Sequence, residues 1–160
     1  MPEAVNYCIR CGSPVRMELK YGAQRPVCPR CGWIYFADPK VAVEVLVEKG
    51  DQVLLVKRAN QPQLSLWSQP GGFVDAWEDP ARAAERECLE ETGLAVKVTS
   101  LLDVISGREF PESADIVLAY RAEIVGGELI PGDDALQVGF FSRNALPPLA
   151  FKASKKILLI

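Results

Sequence analysis

The stretch Gly72–Leu94, GFVDAWEDPARAAERECLEETGL, decides how the rest of the chain is read. Its punctuation is that of a loop running into one helix. Asp79 is a good N-cap, Pro80 suits the first helical position, and Gly93 stands where a left-handed stop belongs. The spacing therefore predicts a helix from Pro80 to Thr92. At about 100° per residue, Glu91 falls about 40° to one side of Glu87 and Glu90 about 60° to the other. Three carboxylates thus share one arc, with small Ala83 inside it and Ala81, Ala84 and Cys88 forming an apolar stripe beside it. The ordinary alternative is a solvated acidic face. It fits poorly, because like charges at i,i+4 destabilise a helix by roughly 0.2–0.5 kcal/mol and no lysine lies one turn away. Hard oxygen ligands beside Gly71-Gly72, whose backbone can approach a ligand closely, suit Mg²⁺ or Mn²⁺.

The whole chain narrows the chemistry further. Its 160 residues allow one core domain and a small appendage, and at 49% hydrophobic and 24% charged the composition is ordinary for a globular protein. A net charge of −3 argues against sequence-independent nucleic-acid binding, although an acidic protein handles phosphates when metal ions supply the positive charge. There is no histidine, so a histidine base, a Ser-His-Asp triad and mixed Cys/His zinc sites are excluded. No apolar run approaches the ~20 residues of a membrane span. The start, MPEAVNYC, lacks a signal-peptide pattern, and the expected location is cytoplasmic.

Four of the five cysteines lie near the N-terminus as Cys8-x-x-Cys11 and Cys28-x-x-Cys31, each pair followed by glycine. Two such knuckles supply four thiolates, which suits tetrahedral Zn²⁺ and reads as a zinc ribbon over residues 1–38. Disulfides and a redox pair are the alternatives, disfavoured by the expected compartment and the duplicated spacing. Four thiolates close the coordination shell, so this zinc is expected to be structural. The segment carries Arg10, Arg16, Lys20, Arg25 and Arg30 against Glu18. Cys88 reads as a small buried hydrophobe.

Asp38-Pro39 marks a boundary, with the main domain expected over 39–160. Val41, Val43, Val45 and Val47 alternate with Ala42, Glu44, Leu46 and Glu48, which predicts a strand with one strongly apolar face. Lys49-Gly50-Asp51 turns the chain into Gln52–Arg58, completing a hairpin. Residues 59–65 read as a loop and Trp67–Val74 as a short strand broken by Pro70-Gly71-Gly72. Further strands are predicted over Val96–Ser106, Ile116–Val125 and Val138–Phe141, and a helix over Phe151–Ile160. The loop Gly107–Ser113 carries Glu109 and Glu112 as candidate bases.

Gly72, Glu78, Arg86, Glu87, Glu90, Glu91, Gly93 and Leu94 fill every fixed position of the Nudix box, and the chain is identified as resembling the Nudix hydrolases. The preceding ribbon resembles that of a subset including NADH, ADP-ribose and FAD pyrophosphatases. The resemblance implies an α/β/α sandwich around a mixed sheet. It also implies hydrolysis of a nucleoside diphosphate linked to another group. On this resemblance Glu87, Glu90 and Glu91 ligate divalent metal and one of them can serve as base. Arg86 orients a carboxylate, Glu78 binds or tunes metal, and the Gly72 backbone lines the metal site. Trp77 stands where many boxes carry glycine, and Asp75 where many carry glutamate. Leu101–Asp115 lacks the proline- and tryptophan-rich motif of NADH pyrophosphatases, which argues against NADH as preferred substrate. Where many relatives place a further glutamate, this chain has Gln137, so the base is expected from the box or from Glu109 or Glu112.

The leading expectation is Mg²⁺-dependent cleavage of ADP-ribose, FAD or a related ADP-linked compound. Two alternatives stand: a pyrophosphohydrolase of oxidised nucleoside triphosphates, and a non-catalytic sensor or ribbon-borne nucleic-acid binder. The expected partner is a nucleotide-type small molecule, without membrane or nucleic acid, and a homodimer is allowed for.

Overall fold

The computed structural model describes residues 5–132 and 134–160. They form two compact units, Met1–Asp38 and Pro39–Ile160. In the first, β1 (Arg16–Lys20) and β2 (Ala23–Val27) make an antiparallel hairpin. The turn between them takes positive φ at Tyr21 and Gly22. Among the described residues of this unit the buried apolar side chains are Cys8, Val27 and Cys28. So small an apolar interior cannot hold the unit by itself.

The second unit is built on one mixed sheet. Its elements are β3 (Val41–Lys49), β4 (Gln52–Arg58), β5 (Trp67–Ser68), β6 (Gly71–Phe73) and α1 (Pro80–Thr92). They are followed by β7 (Leu94–Ser106), β8 (Ile116–Gly127), β9 (Ala135–Ser142) and α2 (Lys152–Ile157). The strand order is β5-β4-β3-β8-β7, with β6 beside β3 and β9 beside β4. The β3–β8 pair is parallel and the other pairs are antiparallel.

The β3–β4 hairpin is paired only next to its turn, at Glu48↔Val53 and Lys49↔Gln52. Beyond that the strands part. β3 takes β6 as its neighbour at Ala42–Glu44, while β4 pairs with β9 along its length. A cleft opens where they diverge.

The sheet is covered on both faces. Val43, Val45, Val47 and Leu54 pack with Ala83, Ala84 and Cys88 of α1. Leu46, Val53 and Leu55 pack on the other side with Ala153 and Ile157 of α2. Strand parity, with successive side chains on opposite faces, sends alternate residues of β3 to the two helices. This is the expected α/β/α sandwich. It also corrects the expectation of one apolar face for β3: all five side chains from Val43 to Val47 are buried, Glu44 among them. A strand covered on both faces reads as a nearly continuous apolar run.

The helix α1 has the predicted bounds. Asp79 Oδ1 accepts from the N–H groups of Ala81 and Arg82 at 2.9 and 3.2 Å. Gly93 closes the helix at φ 71° and donates to the Leu89 carbonyl at 2.9 Å. The C-terminal helix is shorter than the expected Phe151–Ile160: Phe151 is the N-cap and the helix ends at Ile157. Leu159 and Ile160 instead bond three residues back, in tight turns onto Lys156 and Ile157.

A Cβ added at Gly93 would collide with the Glu128 carbonyl and would sit on a left-handed residue. Gly93→Ala is expected to lower unfolding free energy by about 1–3 kcal/mol, read from the urea midpoint at unchanged m-value.

Candidate active site

The cleft between the parted strands has a volume of about 570 Å³. Its walls carry Glu87, Glu90 and Glu91 from α1, the glycines of β6, and the loop bearing Glu109 and Glu112. The helix caps and the apolar stripe fix how α1 is rotated. The buried stripe is Ala83, Ala84 and Cys88 rather than the expected Ala81, Ala84 and Cys88: Ala83, placed inside the carboxylate arc by helical spacing, is seated on the sheet, and the carboxylate face turns toward β6.

Arg86 organises those carboxylates. Its Nε and Nη2 donate to the two oxygens of Glu78 at 2.8 and 2.9 Å. Its Nη1 donates to Glu87 Oε1 at 2.7 Å and Glu90 Oε2 at 3.0 Å, and Nη2 also to the Phe73 carbonyl at 3.2 Å. A guanidinium has five N–H donors, and here the chain itself engages every one. The bidentate Arg86 contact, joined by the Asp75 N–H at 3.1 Å, holds the Glu78 carboxyl down at about 2. The connecting turn passes through Trp77 at φ 70°, fully exposed. A glycine would take that left-handed position without strain.

Glu91 is the most enclosed of the helix carboxylates. Burial pushes it up to about 8, opposed by the Gly71 N–H, which donates to Glu91 Oε2 at 2.9 Å. Burial also raises Glu87, against the pull of Arg86. The two glycines permit this approach: a Cβ on Gly72 would enter the Glu87 carboxylate, and one on Gly71 would enter the Val43 carbonyl. Enclosed carboxylates with unbalanced charge, beside a cradle that any side chain would fill, fit a hard divalent cation. Glu87, Glu90 and Glu91 offer the oxygens. Glu87 and Glu90 are held by Arg86 and Glu91 by the Gly71 N–H.

The loop candidates separate. Glu109 Oε1 accepts from the N–H groups of Lys152 and Ala153 at 2.6 and 3.3 Å, so it caps the start of α2. Glu112 is exposed and lines the cleft. Gln137 is exposed on β9, paired with Lys57, and is not among the residues lining the cleft. Trp67 packs edge-on against Phe141 in the core, with ring centroids 4.7 Å apart. Phe110 faces Phe151 at 6.3 Å.

Three cleft residues escape the sequence reading: Glu44, Arg58 and Gln69. Glu44 is pushed up to about 7, chiefly by burial, with a hydrogen bond from Ser154 and the charge of Arg58 opposing. Arg58 lies 4.8 Å over the Phe151 ring and donates from Nε to the Pro62 carbonyl at 3.0 Å. The signal for Glu44 was a lone carboxylate inside an apolar run.

In the N-terminal unit the four cysteine sulfurs lie within 4.8 Å of one another. Cys8 and Cys31 are 3.6 Å apart and Cys11 and Cys28 3.5 Å. Four sulfurs at ~2.3 Å from one Zn²⁺ would be about 3.8 Å apart, so the cluster has the size of a zinc site. Gly12 and Gly32 take φ 69° and 73°, and each donates back to the first cysteine of its pair. Hydrogen bonds from Ser13 pull the Cys11 thiol down to about 6.

Residues 38–159 match the NUDIX domain. The chain belongs to the NUDIX family. An ADP-ribose pyrophosphatase from Methanocaldococcus jannaschii is 43% identical over 123 residues, covering 76% of this chain and 73% of that protein. An NAD-capped RNA hydrolase, NudC, from Pseudomonas aeruginosa is 33% identical over 151 residues, covering 92% of this chain and 51% of NudC. The chain thus spans about half the length of its NudC relatives. A crystal structure of a NUDIX hydrolase from Nitrosomonas europaea superposes with a TM-score of 0.86 at 31% identity, covering 96% of this chain and 88% of the other. No helix among the described residues is long and apolar enough to cross a membrane.

Glu44 makes the stability of this NUDIX chain depend on pH. Its pKa rises from an ordinary 4.5 to about 7 on folding. Below the lower value both folded and unfolded forms are neutral. Between the two, the unfolded chain releases its proton while the folded chain keeps it, so stability falls as pH rises, and the loss is complete above 7. Glu44→Gln is expected to flatten this segment. The variant-minus-native difference in unfolding free energy should grow by about 3 kcal/mol between pH 4 and pH 8. Parallel curves across that range would contradict it.

Proposed function

We propose that this chain is a divalent-metal-dependent pyrophosphatase that hydrolyses the phosphoanhydride of an ADP-linked compound such as ADP-ribose or FAD. The observation that carries this reading is the full set of box carboxylates around an arginine whose donors are all taken by the chain. A spent arginine does not bind substrate; it aims Glu78, Glu87 and Glu90. Glu87, Glu90 and Glu91 would hold Mg²⁺ or Mn²⁺, with the Gly72 backbone beside them and Glu78 tuning the set through Arg86. When bound, the metal screens the diphosphate charge and activates a water. The chain holds the reacting groups in line and takes the proton of the attacking water. Water's oxygen bonds to one phosphorus, the bridging P–O bond breaks, and the other phosphate leaves. For ADP-ribose the products are AMP and ribose 5-phosphate.

Glu91 and Glu87 are the candidate bases within the box, and Glu112 is the candidate on the loop. Glu109 is the weaker candidate, since one of its oxygens already caps α2. The Methanocaldococcus relative supports an ADP-ribose-type substrate. The intact carboxylate set weighs against a non-catalytic sensor. A cytoplasmic setting, which keeps thiols reduced, agrees with five free cysteines among the described residues.

Glu87→Gln and Glu91→Gln are each expected to lower kcat by at least about a thousandfold, with thermal unfolding retained. The check is a panel of ADP-ribose, FAD, NADH and oxidised nucleoside triphosphates with Mg²⁺ and Mn²⁺, scored for AMP against pyrophosphate release. Pyrophosphate as the dominant product, or full activity in both variants, would overturn the reading.

We also propose that Cys8, Cys11, Cys28 and Cys31 hold one structural Zn²⁺. Purified protein should contain one zinc per chain. Chelation should unfold the first unit, seen as loss of amide-exchange protection over 5–38, while residues 39–160 keep theirs. Retained protection over 5–38 after complete zinc removal would contradict this.

A further inference from the structure

Beside the carboxylates of α1, the cleft holds two acceptors that no part of the described chain uses. Gln69 is 1% exposed, lines the cleft, and its Oε1 has no partner among the described residues. Its orientation is fixed: Nε2 donates to the Ser154 carbonyl at 3.1 Å, and a carbonyl can only accept, so the amide oxygen must be the free end. Glu44 is 8% exposed and lines the same cleft. Its Oε2 accepts from the Ser154 hydroxyl at 2.9 Å, and its Oε1 makes no hydrogen bond among the described residues. One buried residue, Ser154, thus holds both side chains, one through its carbonyl and one through its hydroxyl. A buried unpaired acceptor such as Gln69 Oε1 is costly to leave unmet, and with the unengaged Glu44 Oε1 beside it the pair suits a ligand with two adjacent donors.

The register says which part of a substrate reaches them. Glu44 pairs directly with Gly71, whose N–H holds Glu91. Neighbouring strands lie about 5 Å apart, so the acceptors sit one strand from the box carboxylates. In an ADP-linked compound the group attached directly to the diphosphate is a ribose, and the base lies farther out. A ribose presents two adjacent hydroxyl donors. Among the described residues, the other acids lining this cleft include Glu109, engaged in capping α2, Glu112, Asp134 beside Arg58, and the box carboxylates themselves; the nearby cation is Arg58, stacked on Phe151.

We infer that Glu44 and Gln69 form a diol subsite that accepts from the 2- and 3-hydroxyls of a ribose flanking the diphosphate, so that the site selects ribose over deoxyribose. This rests on the ADP-linked reading above and adds two specificity residues to it. They are distinct from the carboxylates that would hold metal.

The experiment uses the full zinc-loaded chain. Hydrolysis of ADP-ribose is compared with that of analogues deoxygenated at the 2-position of either ribose. Equilibrium binding of the same three compounds is measured with Ca²⁺ in place of Mg²⁺. The native chain is expected to favour the ribose compound over one of the two analogues by about tenfold to a hundredfold in kcat/KM and in Kd. Glu44→Met and Gln69→Met are each expected to bring that ratio close to one while changing the disfavoured analogue less than about threefold. The second variant serves if the first does not fold. No discrimination by the native chain, or an equal loss on ribose and deoxyribose compounds in both variants, would show that the two residues only seat α2 and would overturn the inference. Binding that discriminates the sugars without any hydrolysis would sustain the subsite and sink the pyrophosphatase reading instead.

Discussion

Arg86 is the constraint on which the site depends. A guanidinium in a half-enclosed position keeps its charge, so each donor needs an acceptor. Here the acceptors come from three places: the loop through Glu78, strand β6 through the Phe73 carbonyl, and α1 through Glu87 and Glu90. One planar group therefore fixes the loop against the strand and the helix together. It also decides which oxygens remain available. Glu78 is spent on both oxygens, Glu87 and Glu90 on one each, and Glu91 bonds to Gly71 instead. Burial raises the carboxyls of Glu87 and Glu91, and Glu91 has no contact with Arg86, so their charged forms call for a further cation. The arginine shapes the site for a cation without being that cation.

This arrangement needs the backbone to come closer to a carboxylate than any side chain allows. Gly71 and Gly72 supply that approach, and they can do so because β3 and β4 part after their turn. Were the hairpin paired along its length, β4 would occupy the position of β6 and no backbone N–H would face Glu91. The short pairing of the hairpin, the insertion of β6 and the cleft are one structural fact. The loop between β4 and β5 and the loop before β8 then need only close the sides.

Much of this was legible in the residues and part was not, for a reason that can be named. The limits of α1 follow from Asp79, Pro80 and Gly93, all local signals. The carboxylate arc follows from helical spacing, and the cysteine cluster from duplicated knuckles. Glu44 and Gln69 were not legible because what defines them is distant: Ser154 lies 110 residues from Glu44 and 85 from Gln69. The alternation along β3 did place Glu44 and Leu46 on one face. Only the valine face reads as strongly apolar, and the helix that covers the other face, α2, spans six residues and leaves little periodicity to detect. The same shortness explains the overextended helix at the C-terminus. Glu109 is a related case: its place on a loop suggested chemistry, whereas its carboxylate is engaged by the backbone of α2.

The two faces of the sheet then acquire different tasks. On one, α1 delivers charge: its carboxylates reach the cleft over the edge opened by β6, and their repulsion suits them to a metal. On the other, α2 delivers shape: Ser154 turns two side chains of β3 and the β5–β6 link so that their free oxygens face the same space. Strand parity forces this division, because Val43 and Glu44 are adjacent and must point to opposite faces. A ligand in the cleft touches both sets at once. On the proposed reading, a metal held by the α1 carboxylates would engage what is common to every diphosphate, and the acceptors on the α2 side would engage what is attached to it. On the same reading, selectivity among nucleotides would change through the α2 side without disturbing the carboxylates and arginine proposed to carry cleavage.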